Sequence, residues 1–230
     1  MAALEDLVSY ADGLLAAADF SDYCPNGLQV EGVPEVGRLV SGVTASLEFL
    51  EAAAAGGAHA VLVHHGLFWR GEDPRVVGMK QRRLCCLLGH GISLIAYHLP
   101  LDGHAELGNN ARLAAVLGLE VEGRLGAGGI GMIGGVPGAP DPAAFASLIQ
   151  RSLGRAPLHI AGRAPRIRRV GWCTGAAQQY IEAAAVLGLD AYISGEVSEQ
   201  TYHAARELGI HYFAAGHHAT ERYGVQALGD

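Results

Sequence analysis

The chain has 230 residues, half of them hydrophobic, and a net charge of −7. That length holds one large domain or two modest ones with a sizeable core. The charge leaves no overall basic field for general nucleic-acid binding, and the 33 glycines follow no collagen-like period.

The opening stretch, "MAALEDLVSYADGLL", reads as an amphipathic helix. It carries Glu5 and Asp6 and lacks the basic start of a signal peptide. No apolar run approaches the ~20 residues of a membrane span. A cytoplasmic protein without a membrane partner is expected. Cys24, Cys85, Cys86 and Cys173 form no C-x-x-C pair, which suits neither a zinc ribbon nor a disulfide framework.

Next come a strand, "RLVSGVTA", and a helix, "SLEFLEAAAAGG", which ends at glycines. The strand "AHAVLVHH" follows, then a helix, "GMKQRRLCCLLGHG", with Gly91 as its C-terminal cap, then the strand "ISLIAYH". This alternation predicts an α/β fold with much parallel sheet.

The strand over 60–65 raises a chemical question, because an apolar run of buried type ends in His64 and His65. Neighbouring side chains of a strand point to opposite faces, so the pair does not easily share one ion while extended. Before Gly66 the backbone can turn, and two adjacent histidines then suit two adjacent metal ions, one each. A turn with solvated histidines is the alternative.

Between residues 123 and 141 the composition shifts to "GRLGAGGIGMIGGVPGAPD". A boundary is placed there, giving domains over 1–125 and 126–230. The G-x-G-x-x-G at Gly126, Gly128 and Gly131 does not open a helix, so it reads as turns between short strands rather than a dinucleotide fingerprint. A helix begins later, with Asp141 as its cap and Pro142 in its first turn.

The chain then repeats itself. "EAAAAGGAHAVLVHH" (51–65) aligns with "EAAAVLGLDAYISGE" (182–196) without a gap, which sets His65 on Glu196. "GISLIAYHLPLD" aligns with "GIHYFAAGHHATE" with one residue inserted, which sets His98 and Asp102 on His217 and Glu221. Two matches in one order make an internal duplication the better reading. If a helix begins near His217, Glu221 lies one turn later on the same face, and the two can bite a common metal. His218 is then a neighbour rather than a ligand. Pro100 restricts the path between His98 and Asp102. Histidines and carboxylates at strand ends form a mixed nitrogen–oxygen set suited to zinc, iron, manganese, nickel or cobalt. His59, His90, His159, His203 and His211 look ordinary, at helix ends or on exposed faces.

"DYCPNGLQVEG", "VTAS", "VHHGLFW", "HLPLD-x-H-x-ELGNN", "WCTG", "SGEVSEQ" and "AAGHHATERYG" together resemble the motifs of the GTP cyclohydrolase 1 type 2 homologue family, also called NIF-three-like. The likeness runs from about residue 20 to residue 226. It implies two similar, interlinked α/β domains with a dinuclear metal site in the cleft between them, assembled into a homohexamer. By motif, His65 and Asp102 would hold one divalent ion, His64 and His217 the other, and Glu221 would bridge both. Members of the family usually carry a further helix and strand after the last motif, whereas this chain ends at "GVQALGD".

Two more residues are candidates for chemistry. Glu196 is a candidate general base or an orienting carboxylate, with a plain helix-start carboxylate as the alternative. His98 is a candidate for orientation or proton transfer, or is merely a buried polar residue. Arg163, Arg166, Arg168 and Arg169 could recognise an anion or blunt a strand edge with charge, and Lys80, Arg82 and Arg83 form a second basic cluster. The expected function is hydrolysis of a small anionic substrate, nucleotide-like or phosphorylated, with GTP ring opening suggested by the family name. A non-catalytic metal-binding scaffold acting through protein partners is the competing class.

Overall fold

The structure is a computed structural model that describes residues 1–126 and 128–230. Packing divides the chain into two compact units, Met1–Leu101 with Val225–Asp230, and Asp102–Gly224. The compositional shift over 123–141 lies inside the second unit. No helix among the described residues is long and apolar enough to cross a membrane.

In the first unit, a short antiparallel pair joins β1 (Ala2–Ala3) to β3 (Glu35–Val36), on either side of α1 (Leu4–Leu14) and β2 (Gly27–Val30). There follow β4 (Leu39–Thr44), α2 (Leu47–Ala55), β5 (Ala60–His65), α3 (Gly78–His90) and β6 (Ser93–Ala96). The main sheet has the order β2-β6-β5-β4, with β4, β5 and β6 parallel and β2 antiparallel at the edge. The apolar run of β5 is unbroken because both of its faces are covered. Val61 and Val63 pack with Leu50, Ala53 and Leu87, whereas Ala60 and Leu62 pack with Leu4, Leu15 and Ile95. Ser46 caps α2 by accepting the Phe49 N–H at 3.3 Å. Gly91 ends α3 in the left-handed conformation, as its position predicted.

The chain leaves this unit along α4 (Leu99–Gly103) and builds α5 (Asn109–Leu117), β7 (Glu120–Leu125), β8 (Gly131–Gly135) and α6 (Pro142–Leu153). The remaining elements are β9 (Leu158–Ile160), β10 (Arg169–Trp172), α7 (Ile181–Val186), β11 (Ala191–Ser194), α8 (Glu199–Leu208), β12 (His211–Ala214) and α9 (His217–Gly229). The sheet order is β7-β8-β10-β11-β12-β9. Asp141 caps α6 by accepting the Ala144 N–H at 2.8 Å. Gly131 opens a strand rather than a helix, in keeping with the turn reading of the glycine-rich stretch.

The duplication is visible in topology. Strands β10, β11 and β12 run parallel with β9 antiparallel on β12, which repeats β4, β5 and β6 with β2 on β6. Ala60 pairs with Ser93, and Ala191 pairs with His211. Those are the positions that the two sequence alignments equate. The β7–β8 hairpin is an addition peculiar to the second unit.

One histidine departs from expectation. His211 lies in β12, only 3% exposed, rather than at a helix end or on an exposed face. Its Nε2–H donates to the Ala164 carbonyl at 2.8 Å, which leaves Nδ1 to accept the Gly162 N–H at 3.1 Å and to meet His159 Nε2 at 3.0 Å.

The hairpin gives a sharp test of packing. A Cβ on Gly134 would lie 1.7 Å from the Glu120 carbonyl oxygen, whereas one on Gly13 meets nothing within 4 Å. Gly134→Ala should therefore cost about 3 kcal/mol in urea unfolding. Gly13→Ala, near the end of a helix, should gain roughly 0.5 kcal/mol.

Candidate metal centre

In the first unit, register builds the cluster. Thr44 lies opposite His65 in the β4–β5 pair, and the Tyr97 N–H donates to the Val63 carbonyl at 3.0 Å. The Thr44 hydroxyl thereby meets His65 Nδ1 at 3.0 Å, and His64 Nδ1–H donates to the Tyr97 carbonyl at 2.9 Å. Each ring is held by its Nδ1, so each presents Nε2. His64 is fully buried, and its ring centroid lies 4.5 Å from that of His65 and 5.0 Å from that of His98. These three histidines offer nitrogens within 4.8 Å of one another. Gly66 lets the chain turn beneath them, because a Cβ there would lie 2.1 Å from Gln29 Oε1, the atom that accepts the Leu67 N–H.

In the second unit, α9 begins at His217, and its i,i+4 spacing brings His217 Nε2 to 3.0 Å from Glu221 Oε2. His217 Nδ1 is 2.7 Å from Glu196 Oε1. Asp102 and Glu221 offer carboxylate oxygens within 4.8 Å of each other. Asp102 Oδ1 accepts from Asn109 Nδ2 at 2.9 Å and from the Thr174 hydroxyl at 3.3 Å. Asn109 is itself oriented, because its Oδ1 accepts the Gly224 N–H at 3.0 Å. Gly175 completes the cradle, since a Cβ there would lie 2.0 Å from Glu221 Oε1 and 3.2 Å from His217 Nε2.

The charges in this unit are mutually felt. Hydrogen bonding from Glu221, the largest cause, together with that from Glu196, raises His217 to about 9 against the effect of burial. Burial first, and then the Asp102 and Glu221 charges, push the Cys173 thiol far up, so it is not a nucleophile.

These groups could hold a metal ion. Metal-binding histidines characteristically give their second ring nitrogen to a carboxylate, carbonyl or hydroxyl, and His64, His65 and His217 all do so. A model of the Duf34/NIF3 (NGG1p interacting factor 3) family matches residues 2–230. The chain belongs to that family. A Pseudomonas aeruginosa relative named GTP cyclohydrolase 1 type 2 homolog is 60% identical over 231 residues, covering 99% of this chain and 91% of the relative. An Allochromatium vinosum protein of the same name is 54% identical over 230 residues, covering 100% and 91%. A solved structure described as protein ybgI, of unknown function, is 49% identical with a TM-score of 0.96, covering 99% of this chain and 92% of that one.

Within this Duf34/NIF3 chain several members of the basic clusters have structural partners. Arg166 donates to the Ala139 carbonyl, Arg163 to the Glu207 carbonyl, and Arg169 lies 3.5 Å from Glu122. Lys80 lies 3.5 Å from Glu72 and over the Phe68 ring. Sequence reasoning passed over the groups that orient the cluster, namely Thr44, Asn109, Thr174 and Gly175. Each falls in a quoted motif, and for Thr44, Thr174 and Gly175 a polar residue or glycine closing an apolar strand was the available signal.

Three outcomes are expected here. Gly175→Ala should lower bound metal in elemental analysis while circular dichroism stays that of the wild type. Glu196→Gln should weaken metal binding by roughly 10–100-fold in a chelator competition. In metal-free protein the raised His217 contributes stability that is fully present below about pH 6.5 and lost as pH rises through about 9. The melting temperature of EDTA-treated wild type should therefore converge on that of Glu221→Gln as the pH is raised over that window.

Proposed function

We propose that this chain is a dinuclear metal-dependent hydrolase of a small anionic substrate, nucleotide-like or phosphorylated. In this reading His65 and Asp102 would hold one divalent ion, His64 and His217 would hold the other, and Glu221 would serve both. Zinc, iron, manganese, nickel and cobalt all suit such a donor set. The observation that carries the proposal is that each of the three imidazoles is tethered at Nδ1, which leaves Nε2 as its ligating nitrogen. When bound, two such ions would acidify water and neutralise charge on an attacked phosphoryl or ring carbon.

The protein's own groups supply order and proton handling. Asn109 and Thr174 fix Asp102 through hydrogen bonds to one oxygen. Glu196 sits on His217 Nδ1, which supports an orienting role for that carboxylate over a role as general base. His98 is the group assigned to proton transfer. Its ring centroid lies 5.0 Å from that of His64, 5.9 Å from that of His65 and 5.3 Å from that of Trp69, to which it is perpendicular. GTP is the first substrate to try, because several relatives carry the name GTP cyclohydrolase 1 type 2 homolog.

The test is a screen of metal-loaded protein against GTP, other nucleotides and phosphoesters. The expected result is turnover that tracks metal content, with two ions per chain in the wild type and loss of both in Glu221→Ala. Asp102→Ala should abolish turnover. One ion per chain, or no turnover across the panel at full metal loading, would overturn the proposal. The homohexamer implied by family likeness belongs to the same reading, and a monomer in light scattering at micromolar concentration would remove it.

A further inference from the structure

The proposed function uses His98 but does not explain what prepares it. The answer lies in Asp22, whose side chain is 2% exposed. Its Oδ1 accepts the Tyr23 N–H at 2.7 Å and meets His98 Nδ1 at 3.0 Å. Its Oδ2 accepts the Leu99 N–H at 2.9 Å and Asn26 Nδ2 at 3.0 Å. The orientation of Asn26 is not arbitrary, because its Oδ1 accepts the His98 N–H at 2.7 Å. Three of the four partners of Asp22 can therefore only donate.

Both oxygens of Asp22 are thus acceptors with a backbone N–H each. A proton on either oxygen would face a donor, so the carboxyl is ionised. Burial alone would raise it, but the hydrogen bonds from His98, Asn26 and the Leu99 N–H outweigh burial and hold it well below the usual carboxylate range. Four donors also saturate it, which leaves Asp22 an orienting group rather than a metal ligand. The fourth position, opposite His98, then demands a donor as well, and a neutral imidazole meets that demand only with its proton on Nδ1.

We propose that Asp22 is a positioning residue that locks His98 in the Nδ1–H tautomer, so that Nε2 faces the histidine cluster as a proton acceptor. The repeat supports it. His217, the partner of His98 in the duplication, likewise has a carboxylate, Glu196, on its Nδ1. The Tyr23 hydroxyl is 3.5 Å from His98 Nε2, too long to fix the tautomer. The inference rests on the proposed hydrolase for its purpose but not for its test.

Selective 15N labelling of histidine in the full-length, zinc-loaded protein reads which ring nitrogen carries the proton. The His98 signals are assigned by their absence in His98→Gln. The wild type should show Nδ1–H with an unprotonated Nε2. In Asp22→Asn the new amide sets an N–H against one of the donors, and His98 should turn over mostly to Nε2–H. Tyr23→Phe should leave the tautomer unchanged. A wild-type His98 protonated on Nε2, a zinc-coordinated Nε2, or a tautomer that switches with Tyr23→Phe would overturn the proposal. The wild-type and Tyr23→Phe spectra decide the matter even if Asp22→Asn does not fold. No substrate is involved, so an inactive protein with Nδ1–H intact would sink the hydrolase and leave the role of Asp22 standing. On any substrate found, Asp22→Asn should lower kcat about 10²-fold with KM and metal content kept. A loss confined to KM would count against it.

Discussion

Everything at the histidine cluster depends on the parallel register of β5 with its two neighbours. A strand alone would send His64 and His65 to opposite faces. Here the strand ends beside Thr44 on one side and Tyr97 on the other, and each neighbour takes the Nδ1 of one ring. A slip of one residue in either pairing would lose the tether that this neighbour supplies. The register is in turn held by burial on both faces of β5, with Val61 and Val63 in one apolar cluster and Ala60 and Leu62 in another. Core packing and donor geometry are therefore one constraint, since the same alternation serves both.

The second unit reuses that plan with different chemistry. Positions equated by the duplication, His65 and His98 in one half and Glu196 and His217 in the other, meet in both. In the first half they are two imidazoles at ring-centroid separation 5.9 Å, and in the second a carboxylate bonded to an imidazole. Asp102 and Glu221 make the second unit the acidic partner, and Cys173 registers their charge in its raised thiol. A neutral nitrogen set and an anionic oxygen set thus arose on one repeated scaffold.

Much of this was legible in the residues. The alternating elements, the caps at Gly91 and Asp141, and the helix beginning at His217 all follow from local chemistry that a sequence displays. Repetition exposed Glu196 and His98 because a duplicated fold puts equal positions at equal places. Asp22 stayed hidden for a physical reason. It precedes the sheet that it serves, sits 76 residues from His98, and gives no periodic signal, because its role is fixed only once Leu99, Asn26 and Tyr23 surround it. His211 was misjudged for a similar reason, since a histidine beginning a strand says nothing of the carbonyl and the second imidazole waiting opposite it.

The tail of α9 has a consequence for biosynthesis. Val225 is 1% exposed within the apolar cluster of the first unit, alongside Leu4, Ile95 and Tyr97, and Leu228 packs there too. Nascent chains commonly fold their amino-terminal domain while the rest is still being made. This one is denied that order. The first hundred residues emerge from the ribosome with a gap in their core that only residues 225–230 can fill, and the whole second unit must be translated in between. The buried His64 would therefore spend most of translation in an unfinished fold.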